Sequence, residues 1–148
     1  MYDLNVKQYC CGGLNFGYFY DASPLIAYDG ARAPGYTMDQ FTPSIVPGCR
    51  TPHVWLDDGR SLYDALGLGF TLLRLNPLAD ANPLVEAAKR RGLPLTVLDL
   101  DPSKVDGLYR HAFVLSRPDQ HVAWRGDQLP QDPLALIDLM RGAAPAGR

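Results

Sequence analysis

Residues 111–126, His-Ala-Phe-Val-Leu-Ser-Arg-Pro-Asp-Gln-His-Val-Ala-Trp-Arg-Gly, constrain the fold of this chain more than any other stretch. The apolar run 112–115 has no polar face, which predicts a strand covered on both sides. Arg-Pro-Asp-Gln at 117–120 predicts a turn, because proline presets φ at the second turn position. Val122 and Trp124 alternate with other residues, which predicts a second strand with both side chains on one buried face. The stretch therefore predicts an antiparallel hairpin.

A helix is predicted directly after the hairpin. Asp132 has the side chain of an N-cap, and Pro133 suits the first helical turn. Leu134, Ile137 and Met140 lie on one stripe of that helix, which would cover the hairpin. A hairpin followed by a terminal helix is how a thioredoxin-like domain ends.

Capping residues and hydrophobic spacing predict the elements upstream. Ser61 is predicted to cap a short helix, in which Asp64 reaches back to the cap and which Gly67 ends. Asn82-Pro83 is predicted to start a longer helix that ends at Gly92. Leu84, Ala87, Ala88 and Arg91 are predicted to lie on one face of this helix. Strands are predicted at 52–56, 70–75 and 95–99, and a short helical turn at 101–107.

This alternation of strands and helices predicts the α/β class, with a right-handed crossover between the two parallel strands. The sequence thus predicts a thioredoxin-like sandwich with a mixed central sheet over residues 47–148. Residues 1–46 form a different region, an irregular arm rich in aromatic residues and interrupted by glycine and proline. Short strands are expected in it at 17–20 and 25–28. Because the arm is apolar, we expect it to be ordered and to bury its tyrosines, with a homodimer as one way to do so.

Composition excludes several classes of partner. The net charge is −2 and basic residues do not cluster, which argues against nucleic acid and anionic membranes. No apolar run approaches the roughly 20 residues of a membrane span, and no signal peptide is expected. We therefore expect a cytoplasmic location.

The cysteine pattern argues against dithiol chemistry. A thioredoxin-like oxidoreductase carries its thiols just after the first central strand, where this chain has Asn-Pro-Leu-Ala-Asp at 76–80. Residues 108–111, before the first hairpin strand, also lack the proline that such enzymes have there. Cys10, Cys11 and Cys49 include no Cys-x-x-Cys and no zinc spacing, so we expect three reduced structural thiols.

Other candidate groups favour structural roles. His111 and His121 could form a metal or acid–base pair across the hairpin, but sheet histidines hydrogen-bonded to the backbone are the stronger expectation. His53 with Ser61 and the nearby Asp57 or Asp58 could suggest a triad, although no nucleophile elbow is present. Gly67-Leu-Gly69 precedes a strand and so does not form a dinucleotide loop. Charges on Arg117, Asp119 and Arg125 suit either an interface ion-pair set or a solvated turn. We therefore assign no catalytic, cofactor-binding or metal-ligating residue.

Four motifs in fixed order resemble a known family. They are Pro-Gly-Cys-Arg-Thr-Pro-His-Val-Trp-Leu at 47–56, Asp-Gly-Arg-Ser-Leu-Tyr-Asp at 58–64, Gly-Phe-Thr-Leu-Leu-Arg at 69–74, and Arg-Pro-Asp-Gln-His-Val-Ala-Trp-Arg-Gly at 117–126. They resemble the C-terminal region of FAD-dependent aromatic hydroxylases of the phenol, chlorophenol and hydroxyphenylpropionate type. Leu-Asn-Phe-Gly-Tyr at 14–18 and Ser-Pro-Leu-Ile at 23–26 look like the segment that joins that family's substrate domain to its C-terminal domain.

The resemblance implies a non-catalytic accessory domain with a structural or oligomerisation role. FAD and NAD(P)H are implied for a parent enzyme only, because no stretch here matches the family's flavin-binding motifs, and we expect no activity from this chain alone. The implied partners are the FAD and substrate domains of such a parent, or a second copy of the chain. The alternative is a free-standing thioredoxin-like protein, either redox-active through Cys49 or Cys10-Cys11, or a binder of small molecules.

Overall fold

The computed structural model describes residues 2–105 and 107–143. From α3 onwards, helices and strands largely alternate along the chain. The elements are α1 (Tyr2–Tyr9), α2 (Gly12–Phe16), α3 (Leu62–Ala65), β1 (Phe70–Arg74), α4 (Asn82–Arg91), β2 (Leu95–Asp99), a 3₁₀ turn (Pro102–Lys104), β3 (Phe113–Ser116), β4 (Val122–Gly126) and α5 (Pro133–Met140).

The four strands form one mixed sheet in the order β2-β1-β3-β4. β1 and β2 are parallel, with α4 between them in the chain, while β1 pairs antiparallel with β3 and β3 with β4. Helices α4 and α5 pack against each other on one face of the sheet. This arrangement confirms the predicted thioredoxin-like α/β fold.

The core lies on both faces of the sheet. On the helical side, Leu72, Leu84 and Ile137 are fully buried in one cluster. On the other side, Leu73 and Leu62 are fully buried in a second cluster under α3 and the loops. Consecutive residues of β1 thus point to opposite faces, as the period of a strand requires.

Caps confirm the predicted starts of α3 and α5 and the predicted end of α4, whereas α3 ends at Ala65, before the predicted stop at Gly67. The Ser61 hydroxyl accepts a hydrogen bond from the Tyr63 N–H at the start of α3, and the Asp132 carboxylate accepts one from the Ala135 N–H at the start of α5. Gly92 ends α4 in the left-handed conformation at φ 66°. The predicted capping-box bond of Asp64 is not among the hydrogen bonds of the described residues.

A β-bulge in the hairpin overturns one prediction about Trp124. Leu115 pairs with Trp124 but Ser116 pairs with Val122, so Ala123 is an extra residue in β4. Val122 therefore lies in the cluster under α3, whereas Trp124 faces the helices and is only half-buried. The predicted shared face was wrong because strict alternation does not anticipate a bulge.

Three predicted strands are absent. Residues 17–20 and 25–28 contain only a single bridge, from Phe19 to Cys49, and residues 52–56 only one from Trp55 to Ser61. The backbone at 51–52 is instead held by side chains, since Tyr63 and Tyr109 donate their hydroxyls to its carbonyls. The arm also contains the two helices α1 and α2, which its glycines and prolines did not suggest.

Candidate functional site

The loop between β1 and α4 occupies the place of the thioredoxin dithiol, and it carries no thiol. The Arg74 guanidinium binds the Asp99 carboxylate through two nitrogens and also donates to the Ala79 carbonyl. The hydrogen bond from Arg74 lowers the pKa of the Asp99 carboxyl, against a smaller effect of burial. The loop is therefore fixed by an ion pair rather than arranged around a reactive group.

The N-terminus of α4 does not suit a phosphate group. A dinucleotide site needs glycines between strand and helix and free N–H groups at the helix start. Here residues 75–81 contain no glycine, Pro83 lacks an N–H, and the Asp80 carboxylate accepts the Asn82 N–H at 2.9 Å. A negative charge of the chain itself already occupies the position that a pyrophosphate would take.

The three cysteines are free thiols in different places. Cys10 is exposed, Cys11 is partly exposed, and Cys49 is buried. Burial raises the pKa of the Cys49 thiol, which a hydrogen bond to Ser44 only partly offsets. A redox-active cysteine requires a depressed pKa, so Cys49 does not have the character of a nucleophile.

The histidines do not form the pairs considered from the sequence. His111 lies at the open end of the hairpin, with Nδ1 3.3 Å from the Asp127 carboxylate, while His121 follows the turn at the other end. The two histidines therefore do not face each other across the hairpin. His53 does contact Ser61, with Nε2 2.9 Å from Oγ, but Asp57 and Asp58 form ion pairs with Lys104 and Arg60. No carboxylate orients His53 among the hydrogen bonds of the described residues, so they contain no triad.

The arm is joined to the edge strand β4. The Ala27 N–H of the arm donates to the Ala123 carbonyl. Directly after the arm, the Gly48 N–H donates to the Val122 carbonyl, and the Val122 N–H donates to the Cys49 carbonyl. Asp29 of the arm binds Arg125 of β4 at 2.7 Å. An exposed edge strand invites pairing with other chains, and here the arm and the segment 48–49 together cover it.

The three charged residues around the hairpin, Arg117, Asp119 and Arg125, take part in two separate ion pairs. Arg117 pairs with Asp119 within the turn at 2.9 Å, while Arg125 pairs with the arm at Asp29. Arg117 also lies over the ring of Tyr20, 5.2 Å from its centroid. Both arginines therefore contact the arm.

His121 is the buried centre of this contact between arm and turn. Its ring packs edge-on against Tyr20 and Tyr18, with centroids 4.8 and 6.0 Å away, and its Nδ1 lies 2.9 Å from the Asp119 carbonyl. Burial lowers the pKa of His121, and the nearby Arg50 and Arg117 add to that effect against Asp119. The neutral imidazole is thus the form that the arm packs against.

A cleft of about 580 Å³ lies between the arm and the segment 49–53. Its walls are aromatic rings, prolines and small polar side chains from three separate parts of the chain. The lining residues are Gly12, Phe16, Gly17, Pro34, Phe41, Thr42, Pro43, Ser44, Cys49, Arg50, Thr51, Pro52, His53 and Tyr63. Clefts of this size, mostly apolar with a few polar groups, are typical of small-molecule sites.

Arg50 is the charged residue in the wall of the cleft. Its guanidinium lies between the rings of Phe16 and Tyr63, 5.3 and 5.0 Å from their centroids. It donates to the Gln120 side-chain oxygen at 2.6 Å and to the Tyr63 hydroxyl at 3.3 Å. Sequence reasoning offers a pocket lined by the aromatic arm only as an alternative hypothesis. It does not single out Arg50, because the walls of the cleft are far apart in the chain and share no motif.

Taken together, the fold and its first loop define a thioredoxin-like domain without a dithiol. The chain belongs to the family described as aromatic-ring hydroxylase, C-terminal, whose model matches residues 44–143. The family expected from the four motifs is therefore confirmed.

Individual relatives agree with this assignment. Phenol 2-monooxygenase of Pseudomonas sp. (strain EST1001) is 33% identical, over 95% of this chain and 26% of the relative. Tetracenomycin B2 monooxygenase-dioxygenase of Streptomyces olivaceus is 37% identical, over 82% of this chain and 24% of the relative. The chain thus spans about a quarter of the length of the curated relatives it matches.

Solved structures show the same fold. The rebeccamycin biosynthetic enzyme RebC with reduced flavin matches with a TM-score of 0.81 at 35% identity, covering 94% of this chain and 25% of that one. The flavin-dependent monooxygenase PieE, in complex with FAD and substrate, matches with a TM-score of 0.67 at 27% identity, covering 90% and 26%. FAD is thus associated with relatives of this chain. The residues at the start of α4 do not fit its pyrophosphate, as described above.

Within residues 2–105 and 107–143, no helix combines the length and the apolar character needed to cross a membrane. The same residues contain no group of three or more potential metal ligands.

Proposed function

We propose that this chain acts as the non-catalytic C-terminal accessory domain of an FAD-dependent aromatic hydroxylase. Its role is to dock on the FAD and substrate domains of that enzyme through the arm. Residues 1–46 would be the connection from the substrate domain, and residues 47–148 the accessory domain. FAD and NAD(P)H would act in the remaining three quarters of the enzyme. The cytoplasmic location expected from the sequence stays a prediction.

The distribution of exposed apolar side chains carries this proposal. Nine of the twelve large hydrophobic residues exposed among the described residues belong to the arm. They are Val6, Tyr9, Leu14, Phe16, Tyr18, Tyr28, Tyr36, Met38 and Phe41. An apolar surface of this kind marks an interaction site, and relatives four times as long supply the domains that would cover it.

A docking experiment tests the proposal. The chain is mixed with the FAD and substrate domains of a phenol 2-monooxygenase-type hydroxylase that lacks its own last quarter, and the mixture is separated by size-exclusion chromatography. We expect flavin absorbance to co-elute with the chain. The Leu14→Glu variant in the arm should abolish co-elution, while Leu78→Glu, 94% exposed on the loop after β1, should not.

Two results would contradict this proposal. Stoichiometric flavin bound to the chain alone would show a cofactor site that we do not assign. A stable homodimer whose formation is blocked by Leu14→Glu, together with no co-elution, would show that a second copy covers the arm.

A further inference from the structure

The cleft beside the arm has an electrostatic character that the accessory role does not explain. Arg50 is half-buried, and both of its hydrogen-bond partners in the described part of the chain are neutral. None of the ion pairs formed by the described residues includes it. A partly desolvated cation without a counter-charge is costly, so an anion in the cleft would stabilise it.

The other lining residues reinforce a positive potential. None of them is Asp or Glu. The Cys49 thiol at the wall is kept neutral because burial raises its pKa. His53 is exposed at the rim and bonds Ser61, so it adds no negative charge. A cationic ligand would meet repulsion here and no compensating carboxylate.

The shape of the walls selects a flat ligand. Phe16 and Phe41 pack with centroids 5.8 Å apart and a tilt of 32° between their planes, and the Arg50 guanidinium lies over the rings of both Phe16 and Tyr63. Aromatic rings favour other rings in offset or edge-on contact, and a volume of about 580 Å³ admits one or two fused rings.

We propose that this cleft is a binding site for a planar aromatic carboxylate, whose ring packs between Phe41 and Tyr63 and whose carboxylate faces the Arg50 guanidinium. The site lies within this chain, and its test uses the chain alone. Phe16 and Phe41 also belong to the exposed arm surface that the accessory role would cover.

Titration of the purified full chain with a matched series of naphthalene probes tests the site. Isothermal titration calorimetry compares 2-naphthoate, the neutral 2-naphthalenemethanol and the cationic 2-naphthylmethylamine. We expect 2-naphthoate to bind with a Kd below about 1 mM, the alcohol about tenfold more weakly, and the amine not measurably. Equal binding of the three probes, or no binding of the carboxylate at several millimolar, would overturn the proposal.

Variants of Arg50 test whether this residue causes the preference for the carboxylate probe. Arg50→Met keeps an apolar stem and should lower the affinity for 2-naphthoate about tenfold, while the affinity for the alcohol changes little. Arg50→Lys keeps the charge and should retain the preference for the carboxylate. Arg90→Met, an exposed arginine on α4, is the matched control and should leave all affinities unchanged. An Arg50→Met chain that binds 2-naphthoate as tightly as the wild type would place the ligand elsewhere.

Phe41→Ala gives an independent check that does not alter charge. Phe41 is 37% exposed, so we expect its removal to leave the fold intact and to weaken both the carboxylate and the alcohol. Unchanged binding of both probes would mean that the rings are not the walls of the site.

Discussion

The sheet domain, residues 48–143, and the arm, residues 2–46, obtain their order in different ways. The domain buries fully occluded side chains on both faces of its sheet, such as Leu72 and Leu73. Among the described side chains of the arm, the buried hydrophobic ones are Ile26 and Ile45, and most of the aromatic rings are exposed to solvent. The domain is thus stabilised by its own core, whereas the arm is stabilised mainly by its contacts with the domain.

The hydrogen bonds lead to the same contrast. The strands of the domain pair with one another, but the Ala27 N–H of the arm donates to β4 and the Tyr20 N–H donates to the Gly48 carbonyl. Because β4 is an edge strand, the arm and the sheet each depend on their contact with the other. The arm needs the sheet for its order, and the sheet needs the arm to cover its edge.

Deletion of residues 1–46 should give the largest effect. Removing the arm uncovers β4 and the apolar surface under Ile26, so we expect aggregation and a loss of more than about 3 kcal/mol in the free energy of unfolding. Size-exclusion chromatography and urea denaturation measure both. Deletion of residues 1–9 is the control and should change little, because Tyr9 and Val6 are exposed. A 47–148 chain that stays monodisperse with an unchanged urea midpoint would show that the arm does not contribute to stability.

Trp124→Ala should give an intermediate effect, because it tests the core of the domain itself. Trp124 is half-buried against the cluster that contains Ile137, so we expect a loss of about 2 kcal/mol in urea denaturation rather than the larger cost of a fully buried tryptophan. Trp55 is 69% exposed, and Trp55→Ala should cost less than about 0.5 kcal/mol. If Tyr36→Ala in the arm costs as much as Trp124→Ala, the contrast between the two regions fails.

The pH dependence of stability should give the smallest effect, and it tests the contact between the regions. The pKa of His121 is lowered in the folded chain, mainly by burial, so the unfolded chain binds the proton more readily. The stabilisation is complete above the ordinary pKa of 6.5 and is lost as the pH falls from there towards the folded value. Urea midpoints from about pH 8 to about pH 5 should therefore decline below the ordinary histidine pKa.

Substitution identifies the histidine responsible. His121→Gln should flatten this decline. A decline that persists in His121→Gln would assign the pH dependence to another group.

Much of the sheet domain could be predicted from sequence because its signals are local. The hairpin turn at 117–120 forms as expected, with the Gln120 N–H bonded to the Arg117 carbonyl. The caps at Ser61 and Asp132 act through side chains two or three residues away. The bulge at Ala123 escaped prediction, since an alternating pattern along β4 does not indicate an extra residue.

The arm escaped prediction for a different physical reason. Its glycines were interpreted as interruptions, but Gly13 lies inside α2, where a Cβ would be 2.0 Å from the Thr37 carbonyl oxygen. A Cβ on Gly17 would lie 2.6 Å from the Cβ atoms of Tyr36 and Phe41. These glycines allow two segments of the arm to approach closely, and nothing local in the sequence distinguishes that use from a break. Arg50 was not singled out because the cleft beside it depends on this close approach.

The pairing of the arm with β4 has a consequence for how such enzymes can be recombined. The family match begins at residue 44, yet residues 27 and 29 already supply a backbone bond and an ion pair to the edge strand. A chimera joined at residue 44 would therefore combine the sheet of one enzyme with an arm from another enzyme lying along its edge strand. We expect functional exchanges between hydroxylases to place the junction before residue 12, so that the inherited module is longer than the region by which the family is recognised.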